Sequence, residues 1–510
     1  MHLSLASVLA ESARCHPDRV ALVDGEARLT YAQIWTESLR HASALRELGI
    51  GPGDRVALLA GNVADFVRCY YGVLAAGGTI VPVPPMLTPA EAAHLVSDSG
   101  ARLVIGWGDY ADLAARAAQQ AGVPVRTVGV ADSPDALEPL VERSAPLAAA
   151  VSREPDDIAV IFYTSGTTGR PKGALLSHLN LVMNATVNAF DSHPMQRGDV
   201  VLGCLPLFHT FGQTVALNTT FRAGATLVLQ HRFDPDQAIA LMRAENVSNF
   251  LGVPTMFVHL AEAAQRHREL PSLRICISGG ASLPVAVLHR FEKAFGTEVY
   301  EGYGLSETSP TASVNQPAFG ARAGTVGHPI WGVEVEIAAA GIDDRIELLA
   351  PGEQGEIVVR GHNVFAGYLN NPEATAEALV EGWFRTGDIG VKDGDGFISI
   401  VDRKKDLIIR GGYNVYPREI EEVLSEYPDV AQVAVIGVPH RELGEETCAV
   451  VVPAAGAEIV AEELLAWGRE RLAGHKYPRR VEIVAELPLG PSHKVLKREL
   501  RARFHQEGRE

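Results

Sequence analysis

Apolar and polar positions alternate along most of this chain in two distinct rhythms. The stretch "YAQIWTESLRHASALRELGI" carries the spacing of a helix and stops at the turn "GPGD". "RVALLA" and "TIVPVPP" are short apolar runs on either side of a second helical stretch, "VADFVRCYYGVLAAG". The runs "ARLVIGW", "DIAVIFYTSG", "VVLGCLPLF", "ATLVLQ", "NFLGVP", "LRICISGG" and "EVYEGYG" follow, most of them separated by helical spacing. Buried strands alternating with helices predict parallel sheet covered by helices, an α/β fold.

At about residue 325 the rhythm changes. "GHPIWGVEVEIAAA", "RIELLAPGEQGEIVVRG" and "GDGFISIVDRKKDLII" alternate with a period of two around glycine-rich turns, which predicts a small antiparallel β-barrel. The last hundred or so residues predict a compact α+β unit. Its helices are "PREIEEVLSEYPD" and "AEELLAWGRERLA", and its strands "VAQVAVIGVP", "TCAVVVPA" and "RRVEIVAELP". The charged run Asp402–Asp406 falls between the two textures, where a hinge is expected. The expected division is a large domain of residues 1–404 and a small, mobile one of residues 405–510.

Composition narrows the function. A chain of 510 residues is too long for one core, which agrees with two domains. Its formal charge of −17 argues against nucleic-acid binding, while leaving room for small anions held by a local cluster of donors. Cys15, Cys69, Cys204, Cys276 and Cys448 are scattered and never spaced C-x-x-C. They predict reduced, mostly buried thiols and a cytoplasmic protein, with neither a disulfide framework nor a zinc site. No apolar run reaches the length of a membrane span, and the N-terminal stretch predicts an amphipathic helix.

Two junctions carry candidate chemistry. In "IAVIFYTSGTTGRPKGALLSH" an apolar strand runs into Thr164, Ser165, Gly166, Thr167, Thr168, Gly169 and then Lys172. Glycines let backbone N–H groups turn toward an anion, and four hydroxyls and an ammonium add donors, so the loop suits phosphate. The spacing differs from the common nucleotide P-loop, because Arg170 and Pro171 separate Gly169 from Lys172. In "VYEGYGLSETSP", Tyr303 offers a flat ring, Ser306 a hydroxyl, and Glu307 a carboxylate able to bind Mg²⁺. "WFRTGD", ending in Asp388, and Arg403 in "IVDRKKD" say little alone, since an aspartate after glycine usually just makes a turn.

Together these segments resemble the acyl-adenylate-forming enzymes, which include acyl- and aryl-CoA synthetases, peptide-synthetase adenylation domains and luciferases. The resemblance rests on "YTSGTTGRPKG", "GYGLSET", "WFRTGDIG", "DRKKDLIIRGGYNVYPREIEE" and the terminal lysine segment "LPLGPSHKVLKREL", in that order over essentially the whole chain. It implies activation of a carboxylic acid by ATP with Mg²⁺, through an acyl-AMP, followed by transfer to a thiol. By that resemblance Thr164 to Lys172 hold the outer phosphates, Tyr303 stacks on adenine and Ser306 binds the α-phosphate. Glu307 binds Mg²⁺, Asp388 takes the ribose hydroxyls with Arg403 nearby, and Lys494 bridges carboxylate and α-phosphate. The small domain turns about Lys405, exchanging Lys494 for the loop of Gly411 and Gly412, which leaves room for a pantetheine arm. Relatives have glycine before the catalytic lysine, where this chain has His493.

The same alignment of motifs places His209, Phe211, Gly212, Val253, Met256, Gly280 and Ala281 around the acid. They are small or apolar apart from His209, which stands where relatives place an aromatic gate. The expected substrate is a medium- to long-chain fatty acid, with an aryl acid as the alternative. Coenzyme A is the expected acceptor, with a phosphopantetheine carrier protein as the alternative, in a monomer or homodimer.

Overall fold

The computed structural model describes residues 3–130, 132–165, 171–490 and 495–504. Among them, the large domain contains a nine-stranded, a six-stranded and a five-stranded sheet. Six neighbouring strands of the first are parallel: Val299–Gly304, Ile275–Ser278, Asn249–Gly252, Val200–Gly203, Thr226–Leu229 and Val20–Asp24. Antiparallel strands finish both edges, Ala27–Thr30 at one and Thr311–Val314 with His328–Pro329 at the other.

In the second sheet Val125–Val128, Leu103–Trp107, Arg55–Leu59, Thr79–Pro82 and Ile158–Ser165 are parallel. Successive side chains of a strand face opposite ways, and both faces here are covered. Val56, Leu58, Ile80 and Val160 enter the main core, which this sheet shares with the nine-stranded one. Ala57, Leu59, Val81 and Ile161 pack on the other side with Ala92 and Val96 of helix Pro89–Asp98 and Ala114 and Ala117 of helix Ala111–Ala121. That two-sided burial explains why the strands read as continuous apolar runs. The helix Tyr31–Glu47 starts at a reciprocal cap between Thr30 and Gln33, and His178–Val187 at one between Ser177 and Asn180.

Where the small barrel was expected lies the five-stranded antiparallel sheet, ordered Val333–Ala338, Gln354–Gly361, Trp383–Lys392 and Leu379–Val380, with Ile398–Arg403 also paired to the third. The C-terminal unit is another five-stranded sheet. Val435, Ala449 and Val451 face helices Pro417–Ser425 and Ala461–Arg471 through Ile420, Leu424 and Leu464. Ile436, Cys448 and Val450 face the helix Lys497–Phe504 through Leu500 and Phe504. All five cysteines are free thiols, four buried and Cys15 exposed. No described helix is long and apolar enough to cross a membrane.

Candidate active site

The expected anion loop joins two antiparallel strands, Ile158–Ser165 and Pro171–Ser177, a hairpin that the sequence pattern does not predict. Its register places Thr164 opposite Lys172. Gly166, Thr167, Thr168 and Gly169 lie outside the described residues, as do the side chain of Ser165 and both His493 and Lys494.

Glu307 stands beside this hairpin, in a short 3-10 turn after strand Val299–Gly304. Its carboxylate is buried, and Oε1 accepts hydroxyl hydrogen bonds from Thr164 at 3.2 Å and Tyr368 at 3.0 Å. The Lys172 ammonium lies 5.1 Å from the centre of the Tyr368 ring. Burial, helped by the Glu307 charge, raises the Tyr368 phenol well above its ordinary value, so it remains a donor. A buried carboxylate held by neutral hydroxyls, with no cation paired to it among the described residues, suits a small divalent ion. Tyr368 belongs to "FAGYLNN" and was missed in the sequence, because no spacing rule connects position 368 to 307. The bridge between Ala174 and Tyr368 sets Tyr368 against the hairpin, and the Phe365 N–H donates to the Glu307 backbone oxygen at 2.9 Å.

Tyr303 and Asp388 also meet. The Tyr303 hydroxyl donates to Asp388 Oδ2 at 2.7 Å, and Arg403 Nε lies 3.0 Å from Oδ1. Asp388 and Arg403 are directly opposite each other across two paired strands, which fixes the second contact by register. Tyr303 is buried, and burial together with the Asp388 charge raises its phenol well above the ordinary value. Ser306 accepts from the Thr210 hydroxyl at 3.0 Å.

A cavity of about 570 Å³, counting its open mouth, lies at the C-terminal ends of the parallel strands. Its wall includes His209, Phe211, Gly280, Tyr303 and Ser306, together with Asn188, Val215, Ile277, Thr311 and Val314. Strand ends are where open α/β sheets bind ligands. His209 Nδ1 accepts from the Phe211 backbone N–H at 3.3 Å.

Four expected pocket residues, Gly212, Val253, Met256 and Ala281, are not among those that line this cavity. Val253 and Met256 are buried in the main core, because the turn into helix Pro254–Ala264 directs them inward. Ala281 is exposed and is not part of the wall. Gly212 opens no space for an acid, since a Cβ there would lie 2.2 Å from the Pro206 carbonyl oxygen. Its small size serves close backbone packing. Gly411 and Gly412 form the two-residue turn between Ile408–Arg410 and Tyr413–Val415, with φ of +57° and +85°. Two successive positive φ values favour glycine at both places. Lys405 is exposed in the turn between strands Ile398–Arg403 and Ile408–Arg410.

Two segments of π-helix, Asn188–Ser192 and Phe211–Asn218, border the cavity and were also missed, since their side-chain spacing over one turn resembles that of an α-helix. Such turns are frequent at functional sites.

This geometry defines an α/β layered protein with a separate C-terminal domain and a candidate site between the strand ends and the hairpin. The model for AMP-binding enzyme matches residues 9–369, and that for the AMP-binding enzyme C-terminal domain matches residues 419–494. The chain belongs to the AMP-binding enzyme family. It is 40% identical over 506 residues to a feruloyl-CoA synthase of Amycolatopsis sp, covering 98% of this chain and 99% of the relative. It is 36% identical over 536 residues to a long-chain-fatty-acid–CoA ligase of Bacillus subtilis, covering 98% and 94%. ATP-bound MatB from Rhodopseudomonas palustris superimposes with a TM-score of 0.92 at 33% identity, covering 99% of this chain and 100% of that one. The apo form of the same protein, at the same identity and coverage, gives 0.81. The arrangement of this chain is nearer to the ATP-bound form.

Proposed function

We propose that the protein is an AMP-forming acid–CoA ligase, with ATP, Mg²⁺, a largely apolar carboxylic acid and coenzyme A as reactants. The observation that carries this reading is the convergence of Thr164, Lys172, Tyr368 and Glu307 beside the cavity that Tyr303 and Ser306 help to line. In the first step a carboxylate oxygen bonds to the α-phosphorus, and the bond from that phosphorus to the bridging oxygen breaks, releasing pyrophosphate. In the second the thiolate of CoA bonds to the acyl carbon and AMP leaves with the oxygen, the thiol proton passing to solvent.

Phosphoryl transfer of this kind is catalysed mainly by position and charge. Lys172 and the hairpin hold the outgoing phosphates. Tyr303 and the Asp388 carboxylate receive the nucleoside, and Lys494 neutralises the oxygens at the reacting phosphorus. Glu307 provides an anionic ligand for Mg²⁺, which supplies charge neutralisation on the phosphates. Both the fatty acid expected from the sequence and its aryl alternative suit the apolar wall of Phe211, Val215, Ile277 and Val314. Relatives named for each kind of acid support both.

Pyrophosphate release from ATP with a panel of acids tests the reading, with CoA or a phosphopantetheine carrier protein added as acceptor. Acid-dependent release followed by CoA thioester is expected. ATP binding without release for any acid would overturn it.

A further inference from the structure

The cavity wall contains one amide whose orientation is fixed. Asn184 Nδ2 lies 2.9 Å from the backbone oxygen of Thr311, which can only accept, so the nitrogen must occupy that position. Its Oδ1 therefore faces Asn188 Nδ2 at 3.0 Å. Asn188 Nδ2 also lies 2.8 Å from the Asn184 backbone oxygen, again an acceptor only, and 3.1 Å from Thr311 Oγ1. Both hydrogens of the Asn188 amide are thus committed, and flipping the group would set oxygen against oxygen. The carbonyl oxygen Oδ1 of Asn188 accepts from no described residue, and Asn188 forms part of the cavity wall.

Thr311 completes the arrangement. Its hydroxyl oxygen accepts from Asn188, its own hydrogen is donated to no described residue, and it lines the same cavity. The wall therefore presents an acceptor, Asn188 Oδ1, and a donor, the Thr311 hydroxyl, side by side. Asn184 reaches Thr308 O at 3.4 Å, in the same turn as Ser306, and Asn188 lies one helical turn beyond Asn184. The pair is accordingly set back from the reacting end of the cavity.

From this geometry we propose that the acid carries a hydroxyl at the end away from its carboxylate, recognised by Asn188 and Thr311. A hydroxyl donates and accepts at once and satisfies both groups. A methyl or ring C–H would leave the Asn188 oxygen buried without a partner. An ammonium is disfavoured, because no carboxylate lines the wall. Asn188 is thus a specificity residue, and the inference rests on the ligase reading above.

Matched pairs test it: para-hydroxycinnamate against cinnamate, and terminally hydroxylated octanoate against octanoate. The two arms separate an aryl from an alkyl body. In at least one pair, the hydroxylated acid is expected to have a kcat/KM for pyrophosphate release about 10- to 100-fold higher. In Asn188→Leu that ratio is expected to fall toward one through loss of rate with the hydroxylated acid, with KM for ATP unchanged. Ratios near one in both wild-type pairs, or a ratio that survives Asn188→Leu, would overturn the proposal. The wild-type ratios decide the matter even where the variant does not fold. No release with any acid would instead overturn the ligase reading.

Discussion

Tyr303 donates its hydroxyl to Asp388 Oδ2 at 2.7 Å, joining the glycine-rich strand of the nine-stranded sheet to the five-stranded sheet. In the proposed reading one residue thereby both offers an aromatic face to the base and holds the carboxylate that meets the sugar. Tyr303→Phe keeps the face and removes the donor. A hydrogen bond to a charged group contributes about 1.5–3 kcal/mol, so thermal unfolding should show a loss of that order. KM for ATP should rise while kcat at saturating ATP changes less. An unchanged KM would mean that Asp388 needs no help from Tyr303.

Glu307 can be tested without losing its place. Glu307→Gln retains an oxygen to accept from Thr164 and Tyr368, so the melting temperature should remain close to that of wild type. The negative charge is lost, and acyl-AMP formation should fall on the order of 10²–10³-fold, by analogy with removal of an electrostatic catalytic group. The Mg²⁺ concentration for half-maximal rate should rise. An unaltered Mg²⁺ titration would take Glu307 out of the cation site.

Strands and helices of the large domain were legible because each strand is short, apolar and bounded by turn residues. The pairings were not. Thr164 and Tyr368 meet at Glu307 through strand order and a hairpin register that neither local stretch encodes. Asp388 looked like a turn aspartate for the same reason, its partners Tyr303 and Arg403 coming from different strands. Glycines misled in the other direction. At Gly212 the missing side chain makes room for backbone, and a sequence alone does not distinguish that from room for a ligand.

Glu301 should make stability depend on pH. Its side chain is buried, with Oε1 accepting from Leu283 N–H at 3.0 Å and Oε2 unpartnered. Burial pushes its carboxyl up to about 7 from 4.5; Arg418 opposes the shift and Glu422 adds to it. The folded state therefore binds this proton more tightly than the unfolded chain. The resulting stabilisation is fully present below about pH 4.5 and declines until about pH 7, by up to about 3 kcal/mol. Glu301→Gln should flatten this part of the stability–pH curve. Denaturant midpoints from pH 5 to 8 provide the check, and equal slopes in both proteins would exclude Glu301 as the source.

Arg418 ties the C-terminal helix Pro417–Ser425 to the strand that precedes the expected hinge. It lies in the first turn of helix Pro417–Ser425 of the C-terminal unit, and its Nη1 donates to Ile400 O at 2.5 Å. Its backbone N–H donates to Asp402 Oδ2 at 2.9 Å, so a carboxylate before the expected hinge at Lys405 caps a helix after it. Glu422 of the same helix accepts from Val285 N–H at 3.3 Å, and Gln354 donates to the Tyr416 hydroxyl at 2.7 Å. These contacts hold the arrangement that is nearer to the ATP-bound relative, and a turn about Lys405 would have to break them. Arg418→Ala removes the guanidinium and leaves the backbone cap, so the unit should still fold. Acyl-AMP formation should slow about tenfold, which corresponds to about 1.4 kcal/mol of lost docking. Conversion of supplied acyl-AMP with CoA should be unchanged or faster if, as the family resemblance implies, that step follows a turn about Lys405. Equal slowing of both half-reactions would show that Arg418 supports the fold as a whole and does not favour one arrangement.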